Sequence, residues 1–345
     1  MQELLGSISR LDPGATLGLR VIACFDELIL GNVNTRALLA AAAALAGCPA
    51  GVVRIGSSEP TLVSPRGEML ACTPAATPKP DRNTGYTVWL QRAGAAGPND
   101  GLILERLSIA LCAKNSAGDE HRRRGLSVVL DSAASQPLRA AAADDLGLRS
   151  GEKYRVVLAP LFAVWERHPA GPEDVIGSPF GPLHAALIAE QFDPFQASPC
   201  GIGSAHPPGA LTKSLRSALT ALRLSESGAA PVCADDYGGL LDALLVDEDD
   251  VPHDDVVAVA RIAERTWGLE TVSALITHQT VRETARALGV HHSTLQHRLA
   301  TVLEELGFPA TEGLGRARLA AAYLTHRVRT SRVLEAPPPA QQVQR

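Results

Sequence analysis

The sequence predicts a multidomain α+β protein that ends in an all-α domain, and three observations carry that reading. Its 345 residues exceed one ordinary domain, and 46% hydrophobic against 20% charged positions give apolar surface for two or three cores, which excludes a disordered chain. Through most of the chain helical patterns alternate with short β-branched runs, broken repeatedly by 30 glycines and 24 prolines. Charge then reverses. Asp235 to Asp255 holds nine acidic residues and no Lys or Arg, whereas Thr277 to Arg332 holds eight arginines against four glutamates. That last segment is +4 in a chain whose net charge is -5, so a basic surface is available locally although the whole molecule is no basic nucleic-acid binder. The acidic run reads as a solvated linker.

Thr35 to Gly47 (TRALLAAAAALAG) predicts the first helix, because Ala and Leu are the best helix formers and Gly47 then Pro49 supply a stop. Gly51 to Ile55 (GVVRI) and Thr87 to Leu90 (TVWL) read as strands, separated by loops around Pro60, Pro65, Pro74, Pro78 and Pro80. Asp100 to Asn115 reads as a helix with Leu102, Leu107 and Leu111 near one stripe. This order, with its PRGE turn (Pro65 to Glu68) and TVWLQRAG strand, resembles a GAF-type sensor domain over residues 16 to 125. The resemblance implies a GAF-like sensor or dimerisation domain in residues 1–125. No position in it identifies a ligand.

In the middle third, HRRRG (His121 to Gly125) is a short basic cluster, read as a solvated helix end or a phosphate contact. A helix is expected from Ser127 towards Leu146, stopped by Gly147. Tyr154 to Leu161 and His184 to Ile188 are short, apolar and strand-like. Leu211, Leu215, Ala218, Leu219 and Leu222 line one face of an amphipathic helix. A strand, then Cys200-Gly201-Ile202-Gly203, this helix with its small residues Ser217, Ala218 and Ala221, then PVCADDYGGLLDALL, resembles the central domain of PucR/CdaR-type bacterial regulators. That domain is a degenerate relative of the GGDEF fold, which implies a GGDEF-like α+β domain over residues 126–250. The GGDEF signature itself is missing, and no acidic pair sits at a turn suited to holding magnesium on a nucleotide.

Residues 251–332 form the predicted all-α domain. Within them, Val281, Thr284, Ala285 and Leu288 mark a short helix, and Gly289 ends it where the chain turns with positive φ. A second helix follows, with Ser293 or His292 as its N-cap, an apolar stripe of Leu295, Leu299, Val302, Leu303 and Leu306, and Gly307 as its stop. Ala285, Gly289 and Leu295 have the spacing of a helix-turn-helix: alanine admits close approach of the helices and glycine makes the turn. The start of the second helix then enters the major groove of double-stranded DNA, presenting His291, His292, Ser293, Thr294, Gln296, His297 and Arg298. Gln pairs with adenine, Arg with guanine, and Ser or Thr with a base or a phosphate.

The same segment is similar to the carboxyl-terminal domain of the PucR family, whose motif runs close to V-x-x-x-A-x-x-L-x-V-H-R-N-T-L-x-Y-R-L-x-x-[IV]. The matching positions are Val281, Ala285, Leu288, Val290, His291, Thr294, Leu295, Arg298, Leu299 and Val302, and Arg316 to Arg327 resembles the family's last helix. His292, Ser293 and His297 stand where the family has Arg, Asn and Tyr, so general DNA binding is implied but the family's sequence preference is not. Other roles stay open: Arg298 pairing with Glu283 or a helix C-terminus, His291 capping the turn, or a helical hairpin without DNA binding. A metal cluster of His291, His292 and His297 is disfavoured, because adjacent histidines diverge around a helix and lack partner ligands.

The expected protein is therefore a cytoplasmic transcriptional regulator with no catalytic residues, cofactor or metal. It is expected to act as a homodimer, since one short recognition helix makes too few contacts for a specific site, and to respond to a small-molecule effector or partner. Its six cysteines are scattered without a C-x-x-C pair, the first residues lack the order of a signal peptide, and no stretch is suited to spanning a membrane. An interaction scaffold is the alternative, and a nucleotide-metabolising enzyme on the central fold a more distant one. Residues 333–345 are expected to be a disordered tail.

Overall fold

A computed structural model of the protein describes residues 13–31, 33–54, 60–72, 86–115, 125–191, 195–244 and 251–334. Outside them lie Ile55, Pro74, Pro78, Pro80, the basic run 121–124, the acidic run 247–250 and residues 335–345. The chain divides into two compact units, one ending at Asp235 but including Val333 and Leu334, the other spanning Asp236–Arg332.

The first unit is mixed α/β. It opens with α1 (Pro13–Leu30), α2 (Thr35–Ala46), β1 (Ala50–Arg54), β2 (Thr61–Val63), β3 (Met69–Leu70), β4 (Tyr86–Leu90) and α3 (Asp100–Asn115). The strands form an antiparallel sheet in the order β3-β2-β1-β4, and α2 stops at Gly47 with φ 67°, as the Gly-Pro signal predicts. Helix α1 was not expected from the sequence. It buries Val21, Cys24, Phe25 and Leu28, and it forms because that face packs with α2 and α3 around one core. Arg92 clamps this layer: its guanidinium donates to both Asp100 oxygens, at 2.8 and 2.7 Å, and to the Ala46 carbonyl at the end of α2. Burial raises the Asp100 pKa, but the Arg92 fork and the Gly97 N–H outweigh it and hold the carboxyl below its usual value.

The helix expected over 127–146 is two: α4 (Gly125–Leu130) and α5 (Gln136–Asp145). Asp131 breaks it by accepting a hydrogen bond from the Ala133 N–H at 2.8 Å, and Pro137 sits in the first turn of α5. There follow β5 (Tyr154–Pro160), β6 (Val164–Arg167), β7 (Glu173–Ser178), β8 (Gly181–Ala189), β9 (Gln196–Ser198), β10 (Gly201–Ile202), α6 (Leu211–Leu224) and β11 (Val232–Cys233). Strands β11-β10-β5-β8-β7 make a five-stranded sheet, antiparallel except for β10 with β11, while β6 pairs with β9. One face of β5 and β8 presents Val156, Leu158, Ala185 and Leu187 to α4, α5 and α6; the other presents Val157, Ala159, Ala186 and Ile188 to a second core with Trp165. Burial on both faces explains why β5 reads as a continuous apolar run. Strands β6, β7 and β9 have no such signature and were not anticipated. Val333 and Leu334, expected to begin the tail, pack against the helical side of this sheet.

The glycines of PCGIG serve packing. A Cβ on Gly201 would lie 2.2 Å from the Leu222 nitrogen, and one on Gly203 2.1 Å from the Ser214 carbonyl, so α6 rests directly on the backbone of this strand.

Between the two layers of this unit lies a buried polar seam. His168 contacts Glu27 of α1 and Glu173 of β7, His184 of β8 lies 2.7 Å from Glu173, and Trp165 stacks on His168 at 5.0 Å. Asn34, whose side chain caps α2, donates to both oxygens of Asp174 at 2.8 Å.

Candidate nucleic-acid interface

The second unit contains α7 (Leu240–Ala243), α8 (Asp254–Ala263), α9 (Gly268–Thr277), α10 (Val281–Ala287), α11 (His292–Leu306) and α12 (Gly313–Thr330). Its core is Val256, Val259, Ile262, Val272, Leu275, Val302, Leu306 and Leu319.

Helix α10 begins with a capping box. Thr280 Oγ1 accepts from the Glu283 N–H at 3.2 Å, and the Glu283 carboxylate accepts from the Thr280 N–H at 3.1 Å. These bonds hold the Glu283 carboxyl below its usual pKa. Thr284 and Ala285 are buried, so the small face turns inward as the spacing predicts. At the far end Val290 N–H donates to the Ala285 carbonyl at 3.0 Å and Gly289 N–H to Arg286 at 3.1 Å, with Gly289 at φ 63°. This six-to-one, five-to-two pair is a Schellman turn, and it requires a residue in the left-handed region.

The N-cap of α11 is His291 rather than Ser293 or His292. Its backbone is extended, and its Nδ1 accepts from the Ser293 N–H at 3.3 Å while lying 2.8 Å from Ser293 Oγ. An imidazole nitrogen can fill the acceptor role of a capping oxygen, which residue preferences for caps do not reveal. Behind this cap, Leu295, Val302 and Leu306 are buried and Leu299 is half-buried, but Leu303 is 49% exposed and leaves the expected stripe.

His291, His292, Ser293, Thr294, Gln296 and His297 are all exposed, grouped on the first two turns of α11 and its cap. Arg298 is placed differently. It is half-buried, its Nη1 donates to Thr271 Oγ1 at 3.1 Å, and its guanidinium lies over Trp267 at 5.2 Å from the ring centre. Neither Glu283 nor a helix C-terminus is the partner in these contacts. Among the described residues no group of three or more His, Cys, Asp or Glu side chains is placed to hold a metal ion. Nor is any described helix long and apolar enough to cross a membrane.

Two further basic side chains stand on the first helix of the motif. Arg282 and Arg286 lie one turn apart on α10, and both are exposed. Their i, i+4 spacing is legible in the sequence, but the residues expected to read the groove do not point to them. The first helix of such a motif crosses the phosphate backbone, where arginines act.

A solved crystal structure of a regulator of polyketide synthase expression from Bifidobacterium adolescentis is similar at 17% identity, covering 61% of this chain and 98% of that chain with a TM-score of 0.24. No curated protein matches. Residues 269–325, from the first turn of α9 into α12, match the PucR C-terminal helix-turn-helix domain, so this part of the chain carries a helix-turn-helix of that type.

Proposed function

We propose that the chain is a cytoplasmic, sequence-specific DNA-binding transcriptional regulator rather than an enzyme. The observation that carries the reading is the start of α11: a capped helix whose apolar face is buried and whose six exposed polar residues form one accessible surface, inside a segment of matching domain type. His292, Ser293, Thr294, Gln296 and His297 read the major groove, the helix N-terminus and His291 meet a phosphate, and Arg282 and Arg286 hold the flanking backbone. The chain acts as a homodimer, doubling a contact set too small for a specific site. Upstream, a GAF-like region (1–125) and a degenerate GGDEF-like region (126–250) respond to a small-molecule effector or a partner. That response alters the spacing of the two reading helices through differential binding to two arrangements.

The test is fluorescence anisotropy of full-length protein with a duplex that it selects from a randomised pool, beside a scrambled duplex, across a salt series. Selective binding that weakens steeply with salt and is lost on Gln296→Ala is expected. Failure to enrich any duplex would overturn the reading and favour an interaction scaffold.

A further inference from the structure

Arg298 is a charged residue on the inward side of α11, whereas the polar residues His292, Ser293, Thr294, Gln296 and His297 before it are exposed. At about 100° per residue, Arg298 lies about 60° around α11 from the buried Leu295 and about 40° from the buried Val302. Two groups hold it there. Thr271, fully buried on α9, accepts its Nη1 hydrogen bond at 3.1 Å, and the indole of Trp267 lies under its guanidinium. The same indole has Arg265 near it at 5.8 Å, and Arg265 lies 3.6 Å from Glu305, which also receives Arg261 at 2.9 Å. Helix α11 is therefore tied to the α8–α9 pair at two places along its length, Arg298 in its first half and Glu305 near its end.

We infer that Arg298 is a positioning residue that sets the angle at which α11 meets DNA, acting through Thr271 and Trp267 without touching a base or phosphate. This rests on the DNA-binding reading above. Two attachments determine a helix's tilt and its rotation about its own axis, whereas the apolar contacts of Leu295 and Val302 tolerate sliding. Base readout by short side chains such as Ser293 and Thr294 depends on that rotation, because their reach is too small to correct an error in aim. A planar guanidinium can lie on an indole face and donate in its own plane to a hydroxyl at once, which an ammonium cannot.

The experiment measures full-length Arg298→Met, Arg298→Lys, Thr271→Val, Thr271→Ser and the Arg298→Met, Thr271→Val double variant on the selected and scrambled duplexes across the salt series. A positioning role predicts that Arg298→Met and Thr271→Val each cost about tenfold or more in preference for the selected duplex, with the salt slope unchanged. The double variant falls no further than either single, Lys fails to restore selectivity, and Thr271→Ser retains it because the acceptor hydroxyl remains. Should Thr271→Val prevent folding, as thermal melting would show, the Lys and Ser variants decide alone. A direct phosphate contact predicts the reverse: Arg298→Met lowers the salt slope by about one unit, Lys largely restores binding and Thr271→Val is silent, which would overturn the inference while leaving the DNA-binding function intact. Absence of binding by the unmodified chain would remove both.

Discussion

His168 Nδ1 lies 2.9 Å from Glu173 Oε2 on β7, and its Nε2 meets Glu27 on α1, so one imidazole joins two carboxylates from different layers of the first unit. Burial alone would lower its pKa, but hydrogen bonds to Glu173 and Glu27 outweigh that and push it up to about 9. Burial would likewise raise Glu173, and its contacts with His168 and His184 hold it below the usual value instead.

The first unit should therefore lose stability as pH rises. The His168 contribution is complete below its ordinary 6.5, where folded and unfolded chains both carry the proton, and is lost as pH climbs through about 9. The Glu173 contribution has the opposite sense, present above 4.5 and lost on acidification. Urea midpoints across this range should fall on the alkaline side in the unmodified protein and run flatter in His168→Gln. Equal alkaline slopes in the two proteins would show that the seam does not hold the charge assigned to it.

Gly201→Ala should destabilise the first unit by about 1–3 kcal/mol or more, because the added methyl meets the backbone of α6, which no rotamer change can relieve. Gly209→Ala is the control, since nothing lies within 4 Å of the methyl it would add, and it should stay within about 0.5 kcal/mol. Urea denaturation of both proteins measures the difference.

Thr280→Ala should remove the N-cap of α10 and cost the second unit about 1 kcal/mol, whereas Thr280→Ser should keep the acceptor and most of the stability. Gly289→Ala should cost a similar amount, about 1 kcal/mol, from backbone strain at φ 63° alone, since its surroundings are open. Hydrogen exchange resolved over residues 281–290 would detect both. Unaltered protection there in either variant would contradict the assigned role.

Leu295→Ala and Gln296→Ala should separate folding from reading. Leu295 is fully buried, so its truncation should cost about 2–5 kcal/mol and abolish binding by unfolding the motif. Gln296 is exposed, so its truncation should leave stability within about 0.5 kcal/mol while reducing selectivity. Calorimetry beside anisotropy distinguishes them, and a large loss of stability in Gln296→Ala would show that it packs rather than reads.

The elements legible from sequence were those with local causes. Helix α2 ends at Gly47 because a residue in the left-handed region is needed there, and α10 and α11 follow from Ala285, Gly289 and Leu295 within one short stretch. Strand β5 announced itself through apolar residues on both faces. Strand β7 did not: its first residues are Glu173 and Asp174, which are buried where His168, His184 and Asn34 meet them. The break at Asp131 between α4 and α5 was available from its side chain and from Pro137, and the alanine-rich pattern concealed it.

The sequence by itself determined the helix-turn-helix, its buried Leu295, Val302 and Leu306 and the exposed polar residues at the start of its second helix, because turns and helical periodicity act over a few neighbouring residues. Only the tertiary structure decided that Arg298 turns inward to Thr271, 27 positions away, and that His168 reaches Glu27 across 141. A charged side chain chooses between solvent and burial according to the partners that distant segments bring to it, since desolvation is offset only where those partners are already in place.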